Sequence, residues 1–158
     1  MPTITPFLWF DGKAEEAMDF YLSIFRNAKV VDVMRTMEAG PGQPGAVMAA
    51  TFELEGQRFI ALNGGPQFSF TPAISMFVTC ETQQEVDALW DRLSAGGEVQ
   101  QCGWLKDRYG LSWEIVPAVL KDMLQDKDTA RASRVMQALM GMSKIDIARL
   151  RQAQARQP

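Results

Sequence analysis

Histidine is absent from this 158-residue chain. Its absence excludes Ser–His–Asp hydrolysis, and it leaves Cys102 without a base that could activate the thiol as a nucleophile. Cysteine is scarce as well, since the only other one is Cys80. The two cysteines form no metal-binding or redox spacing motif, so we expect two free thiols in a reducing cytoplasm.

Long apolar runs and a basic excess are also lacking. No apolar run approaches the length of about 20 residues that spans a bilayer, and the first ten residues lack the charged and cleavage regions of a signal peptide. The formal charge of −3 disfavours nucleic-acid binding, and we interpret the short basic segment Arg149–Arg156 as a solvated tail. We expect a cytoplasmic protein whose partners include neither a membrane nor a nucleic acid.

The composition that is present, 47% hydrophobic and 22% charged, is typical of a globular domain. In the first half, residue spacing predicts a strand at 4–10, a helix at 13–25, a strand at 29–37 and a hairpin at 47–65 that turns at Gly56. The Gly- and Pro-rich segment 38–46 is predicted to be a loop. The first half therefore has the order β-α-β-β-β.

The second half repeats this order with a strand at 72–80, a helix at 83–95, and the strands "EVQQCGW" and "LSWEIVP". Thr82 is the predicted N-cap of the helix, and Glu85 completes a capping box. The helical stripe of Ala17, Phe20, Tyr21 and Ile24 matches that of Val86, Leu89, Trp90 and Leu93 at one offset, and Gly56 matches Gly110. An internal repeat of this length predicts two similar modules, 1–66 and 67–117, packed into one domain 1–117.

Residues 118–158 are outside the repeat and are predicted to form helices. The second of these helices places Val135, Met136, Leu139 and Met140 inward, and the third begins with Ser143 as N-cap and Asp146 in its first turn. These helices cover either the domain's own sheet or the sheet of a partner subunit.

Several stretches closely resemble the PhnB-like branch of the vicinal oxygen chelate superfamily, which holds glyoxalase I, bleomycin-resistance proteins and extradiol dioxygenases. They are "TPFLWFDGKAEEAMDFYLSIF", "FIALNGGPQFSFTPAISMFVTC", "VDALWDRLSAGG" and "CGWLKDRYGLSWEIVP". The resemblance implies an α+β fold in which tandem βαβββ modules form a U-shaped mixed sheet, with helices on the convex side and a ligand on the concave side. It also implies a homodimer.

Some proteins of this branch are labelled demethylubiquinone methyltransferases. A typical methyl-donor site needs a Gly-rich turn between a parallel strand and a helix. The glycines here lie in "PGQPGA" and "NGGP", between predicted antiparallel strands. The sequence therefore disfavours methyl transfer.

The resemblance also implies a position for a metal ligand. Superfamily enzymes hold a divalent metal with His, Glu or Gln from the first strand of each module and Glu from the last, and "DRYGLSWEI" places Glu114 at that last position. The first strands open with residues 4–6 and 72–74, which provide neither imidazole nor carboxylate. We expect no cofactor, because Mg²⁺ held by Glu114, backbone carbonyls and water would be weakly bound.

A carboxylate on an otherwise apolar strand needs a partner, since an unpaired buried one costs several kcal/mol, roughly, or is protonated. Glu114 either pairs with Arg58, Arg108 or Lys106, or anchors a ligand by accepting hydrogen bonds from its hydroxyl or amine. Strand alternation places Ser112, Glu114 and Val116 on one face and Trp113 on the other.

Further candidate ligand-binding residues are Trp9, Trp104, Asn63 and Ser112. The tryptophans are alternatively core residues, and Asn63 alternatively forms the turn before Gly64. One hypothesis for function is binding of a small aromatic or amphipathic metabolite in the concave sheet. The other is a metal-assisted or Glu114-based lyase, isomerase or dioxygenase-type enzyme, and a minor third is docking of the C-terminal helices on a partner.

Overall fold

Each half of the chain forms a four-stranded sheet of its own. The computed structural model describes residues 1–40 and 42–156, and it contains two compact units, Met1–Phe70 and a second that starts at Thr71. The loop predicted at 38–46 includes Pro41, which lies outside the described residues.

The first module has the predicted order, with strand order β1-β4-β3-β2 in its sheet. Strand β1 is parallel to β4, and the other neighbours are antiparallel. The hairpin turns through Glu55 and Gly56, whose φ angles of 47° and 85° are both left-handed, as a tight two-residue turn requires. The elements are β1 (Phe7–Phe10), α1 (Ala14–Ile24), β2 (Ala28–Arg35), β3 (Val47–Leu54) and β4 (Gln57–Asn63).

The second module repeats this topology, with strand order β5-β8-β7-β6. Strand β5 is parallel to β8, and the remaining pairs are antiparallel. The predicted capping box is confirmed, because Thr82 Oγ1 accepts from Glu85 N at 3.1 Å and Glu85 Oε2 accepts from Glu81 N at 3.1 Å. The elements are β5 (Ser75–Cys80), α2 (Gln83–Ser94), β6 (Glu98–Val99), β7 (Trp104–Lys106) and β8 (Ser112–Pro117).

Equivalent hydrogen bonds close the two modules. After β4, Gly64 N donates to Phe10 O at 2.9 Å, and after β8, Ala118 N donates to Cys80 O at 2.8 Å. The α+β class and the two βαβββ modules are therefore confirmed down to single backbone contacts.

Several strands are shorter than predicted. Strand β1 begins at Phe7 rather than Ile4, because Pro6 lacks the N–H that a ladder requires; only its carbonyl takes part, accepting from Ile60 N at 3.0 Å. The stretch "EVQQCGW" forms two strands and not one, since Cys102 and Gly103 have φ angles of 60° and 84° and turn the chain between them.

Three helices complete the second unit: α3 (Val119–Leu124), α4 (Thr129–Met140) and α5 (Ile147–Ala155). They pack on their own module, because Val116 of β8 shares one buried cluster with Leu120, Val135 and Leu150. The prediction that Met136 and Met140 point inward is wrong: both are exposed, whereas Val135 and Leu139 are buried.

The N-cap of α5 is Asp146 and not Ser143. Asp146 Oδ1 accepts from Arg149 N at 3.2 Å, and Asp146 has an extended backbone. The helix therefore starts three residues later than predicted. The longest helices, α2 and α4, have 12 residues each, and in residues 1–40 and 42–156 no helix has the length and apolar character to cross a membrane.

Candidate functional site

Strand alternation divides the second sheet into two faces. Leu105, Trp113 and Ile115 are buried on the face against which α2 packs. Glu114 and its i±2 neighbours Ser112 and Val116 point to the opposite face, which we call the open face of the second module.

Glu114 lies between two aromatic residues on the open face. Phe77 of β5 and Trp104 of β7 are its Cα partners on either side, so the three side chains form one row across the sheet. Phe77 is 60% exposed, while Glu114 and Trp104 are half-buried. We call Phe77, Glu114 and Trp104 the aromatic row.

A serine, not a basic residue, is the partner of Glu114. Ser75 Oγ donates to Glu114 Oε2 at 2.6 Å, and in the described part of the chain Glu114 forms no ion pair. The predicted pairing with a basic residue is wrong. Arg58 binds Glu53 at 2.9 Å, Arg108 donates to Ala95 O at 3.1 Å, and Lys106 lies opposite Ser112. Oxygen Oε1 of Glu114 is left to accept hydrogen bonds from elsewhere.

A second row of polar side chains lies beside the aromatic row. Ser75, Ser112, Lys106 and Glu98 are successive Cα partners across β5, β8, β7 and β6, and we call them the polar row. Ser112 is 0% exposed, and its hydroxyl has no hydrogen-bond partner among the described residues. Buried hydroxyls are normally hydrogen-bonded, so Ser112 is an anomaly that calls for an explanation.

The other two predicted residues belong to the first module. Trp9 Nε1 donates to Gly65 O at 2.9 Å, and its ring meets Phe68 edge-on with centroids 4.9 Å apart. Asn63 Oδ1 accepts from Ala14 N at 2.8 Å, and its Nδ2 donates to Val47 O at 3.0 Å. The Asn63 amide thus connects the end of β4 to the start of α1 and to β3. This structural role goes beyond the predicted role in a turn.

Sequence reasoning missed the role of Asp107. Asp107 is only 3% exposed; Oδ1 accepts from the backbone N–H of Tyr109 and Leu111 at 2.8 and 3.0 Å. Oδ2 accepts from Trp113 Nε1 at 2.9 Å. The signal was available, because a buried strand tryptophan needs an acceptor for its N–H, and Asp107 fixes the start of the strand that presents Glu114.

The donor set around Glu114 does not fit a divalent metal. Its neighbours are two aromatic rings and the hydroxyls of Ser75 and Ser112, whereas metal sites are built from several carboxylate, imidazole or thiolate groups. Over the described ranges, no group of three or more His, Cys, Asp or Glu residues is arranged to hold a metal ion.

A cavity of about 540 Å³ lies elsewhere in the second unit, between the starts of α2 and α5. None of the predicted site residues lines it; its walls are Glu81, Thr82, Gln83, Asp146, Ile147, Ala148 and Arg151. The cavity is therefore separate from the open face of the second module.

Two βαβββ modules, each closed by a parallel first and last strand, define the glyoxalase/bleomycin-resistance fold of the vicinal oxygen chelate superfamily. The chain belongs to the PhnB-like family that is described as 3-demethylubiquinone-9 3-methyltransferase, whose family model matches residues 2–116. No curated protein matches the chain.

Solved structures agree with this assignment. A PhnB protein from Bacillus cereus is 43% identical and has a TM-score of 0.69; the match covers 74% of this chain and 100% of that one. A Pseudomonas aeruginosa protein is 20% identical with a TM-score of 0.61, over 74% and 98% of the two chains. The fosfomycin resistance protein FosX from Listeria monocytogenes, crystallised with Mn(II) and sulfate, is 16% identical with a TM-score of 0.55, over 78% and 95%. The last two show the fold alone.

Proposed function

We propose that the protein binds a small aromatic or amphipathic metabolite on the open face of the second module, with Glu114 as the polar anchor. The observation that supports this most is the aromatic row, in which a half-buried carboxylate with a free oxygen lies between Phe77 and Trp104. Ligand-binding sites combine exposed aromatic side chains with a few polar groups in this way, whereas a phenylalanine of the protein core would be buried.

The size of the row sets the expected affinity. Covering about 150 Å² of apolar surface on the two rings is worth about 4 kcal/mol at 25 cal/mol per Å². A hydrogen bond to the charged carboxylate adds about 1.5–3 kcal/mol. Together these terms give about 5–7 kcal/mol, which corresponds to a dissociation constant between about 0.1 mM and about 10 μM. The cost of ordering the ligand weakens this, so we expect a small aromatic probe to bind with a dissociation constant of about 0.1 mM or weaker.

The test is an NMR titration with 3-phenyl-1-propanol, read at the indole N–H of Trp104. The Trp104→Phe variant assigns that signal among the four tryptophans. We expect a saturable shift in the wild type that weakens in Glu114→Gln. The matched control is Asp91→Asn, which removes one charge from an exposed position on α2, behind the sheet. No Trp104 response to any neutral, cationic or anionic aromatic probe at millimolar concentration would refute the proposal.

The proposal includes no metal-dependent or methyl-transfer step. The donors around Glu114 do not fit a metal, and the turn from β1 to α1 contains one glycine, Gly12, rather than a Gly-rich phosphate-binding loop. The Gly-rich segments follow β2 and β4, where no parallel strand leads into a helix.

We also propose a homodimer, as the resemblance implies. Phe7 and Met34 lie on the two edge strands of the first sheet and on the same face of it by register. They are 57% and 52% exposed, as at an association surface. Sedimentation velocity should give twice the 17.6 kDa chain mass; a single species of the monomer mass at micromolar concentration would contradict it.

A further inference from the structure

We infer that the open face of the second module selects cations, and that its ligand is a small amine whose ammonium group binds Glu114 between Phe77 and Trp104. This inference rests on the proposed function and adds the charge class of the ligand. It follows from the charges, the aromatic rings and the unsatisfied hydroxyl of the two rows.

The charges on the open face leave Glu114 unbalanced. Lys106 and Glu98 are directly opposite each other on β7 and β6, so their charges offset each other across the strands. Glu114 has Ser75 as its hydrogen-bond donor and a phenylalanine and a tryptophan as its cross-strand neighbours. The aromatic row therefore has a local charge of −1, and Lys106 of the neighbouring row forms no ion pair with Glu114 in the described chain.

The aromatic rings favour a cation over a neutral donor. Neighbouring strands lie about 4.7–4.9 Å apart, so one small ammonium group at Glu114 lies within reach of both rings. Tryptophan is the strongest cation–π partner among the side chains, and the interaction is stronger where water is partly excluded. Glu114 and Trp104 are both half-buried, whereas an anionic ligand would meet repulsion at the same place.

Ser112 supplies a further acceptor. Its hydroxyl is buried and has no partner within residues 1–40 and 42–156, and Ser112 lies two residues before Glu114 on the same face. A primary ammonium group has three N–H donors, so the group that binds Glu114 keeps donors for a second acceptor. Because Ser112 is 0% exposed, this second contact requires the side chains that cover the hydroxyl to move.

The first module provides an internal comparison. At the register position of Glu114 it has Ile60, between Phe7 and Thr51. The backbone geometry is the same, but the carboxylate is missing. Charge selection is therefore expected at the aromatic row and not at its counterpart around Ile60.

The experiment compares three probes of similar shape: 3-phenylpropylamine, 3-phenyl-1-propanol and 3-phenylpropionate. Each is titrated at pH 7 and low salt while the Trp104 indole N–H is followed by NMR. We expect the amine to bind at least about tenfold more tightly than the alcohol, as an added charge pair near a protein surface allows. In Glu114→Gln this ratio should fall to about one, and in Asp91→Asn it should stay unchanged.

Two further measurements keep the test decisive if Glu114→Gln folds poorly. In the wild type, raising NaCl should weaken the amine and leave the alcohol unaffected. Lys106→Met should leave amine binding unchanged or strengthen it, because it removes a positive charge from the neighbouring row.

The outcomes separate the two proposals. Equal binding of amine and alcohol, or a ratio that Glu114→Gln does not change, overturns cation selection and leaves the proposed binding function standing. Preferred binding of 3-phenylpropionate that is lost in Lys106→Met overturns cation selection in favour of an anion. Failure of all three probes overturns the proposed function itself.

Discussion

Removing the Ser112 hydroxyl should stabilise the protein. The buried Ser112 hydroxyl has no hydrogen-bond partner in the part of the chain that the structure describes. Ser112→Ala replaces it by hydrogen, which relieves a desolvation cost of about 1–3 kcal/mol. The small void left behind costs about 0.3 kcal/mol, at 24 cal/mol per Å³ for a volume of about 12 Å³. The net gain is about 0.7–2.7 kcal/mol, or about 1–11 °C in Tm for a chain of this length.

The assay is thermal and urea unfolding of the wild type and two serine variants. Ser75→Ala is the matched control, because Ser75 pairs with Ser112 in the register but its hydroxyl is bonded to Glu114. It should lose about 1 kcal/mol, the ordinary worth of a hydrogen bond. The two variants should therefore shift Tm in opposite directions.

A loss of stability in Ser112→Ala would refute this reasoning, since it would mean that the hydroxyl has a partner in the folded protein. Stabilisation accompanied by weaker 3-phenylpropylamine binding would support both the anomaly and its proposed use. Residues that bind ligand often reduce stability in this way.

Three other predictions concern packing and ionisation. Gly64→Ala should cost about 1–3 kcal/mol in urea unfolding, because a Cβ there would be 2.4 Å from carbon atoms of the Trp9 ring. The Arg131 guanidinium and the Asp128 N–H lower the pKa of Asp126 from 3.8 to about 2, so Asp126→Asn should lower Tm at pH 7. The Tm difference between this variant and the wild type should shrink as the pH falls from 3.8 towards 2. Burial, together with the nearby Glu85 and Glu81, raises the pKa of the Cys80 thiol from 9.0 to about 11. Cys80 should therefore resist thiol reagents at pH 8 until the protein unfolds. The stability that the protonated thiol contributes is present below pH 9 and should be lost as the pH approaches 11.

Each of these predictions has a control. Gly141→Ala should be tolerated, because the nearest atom to its new Cβ is 3.6 Å away; equal losses at both glycines would argue against a steric cause. A Tm difference for Asp126→Asn that is independent of pH would contradict the ion pair as its source. Rapid labelling of native protein in the Cys102→Ser variant would show that Cys80 is accessible.

The βαβββ repeat was predictable because it depends on patterns that recur within the sequence. The stripe of Ala17 and Tyr21 and its match in Val86 and Trp90 are local, and the glycine at each hairpin is required by the backbone. All four stripe residues are buried. The α+β class followed from such signals, while strand ends did not, because they depend on which N–H groups find a partner.

The site was predicted only in part, because the partner of a side chain is a tertiary property. Glu114 and Trp104 are ten residues apart in sequence and become neighbours through the β7–β8 pairing. Ser75 lies 39 residues before Glu114, and a serine in a strand has no sequence pattern that marks it as the partner of a distant carboxylate. Aspartate is common in turns, but the hydrogen bond between Asp107 and Trp113 depends on the burial of the tryptophan ring.

The position of Val116 determines the direction in which a ligand bound on the open face can extend. Val116 follows Glu114 by two residues and is enclosed with Leu120 and Val135 in the cluster of the C-terminal helices. Those helices therefore block the sheet on that side of the carboxylate. A molecule tethered at Glu114 must grow the other way, past Ser112 towards Lys106, and a bulky substituent pointing at α3 would be shut out.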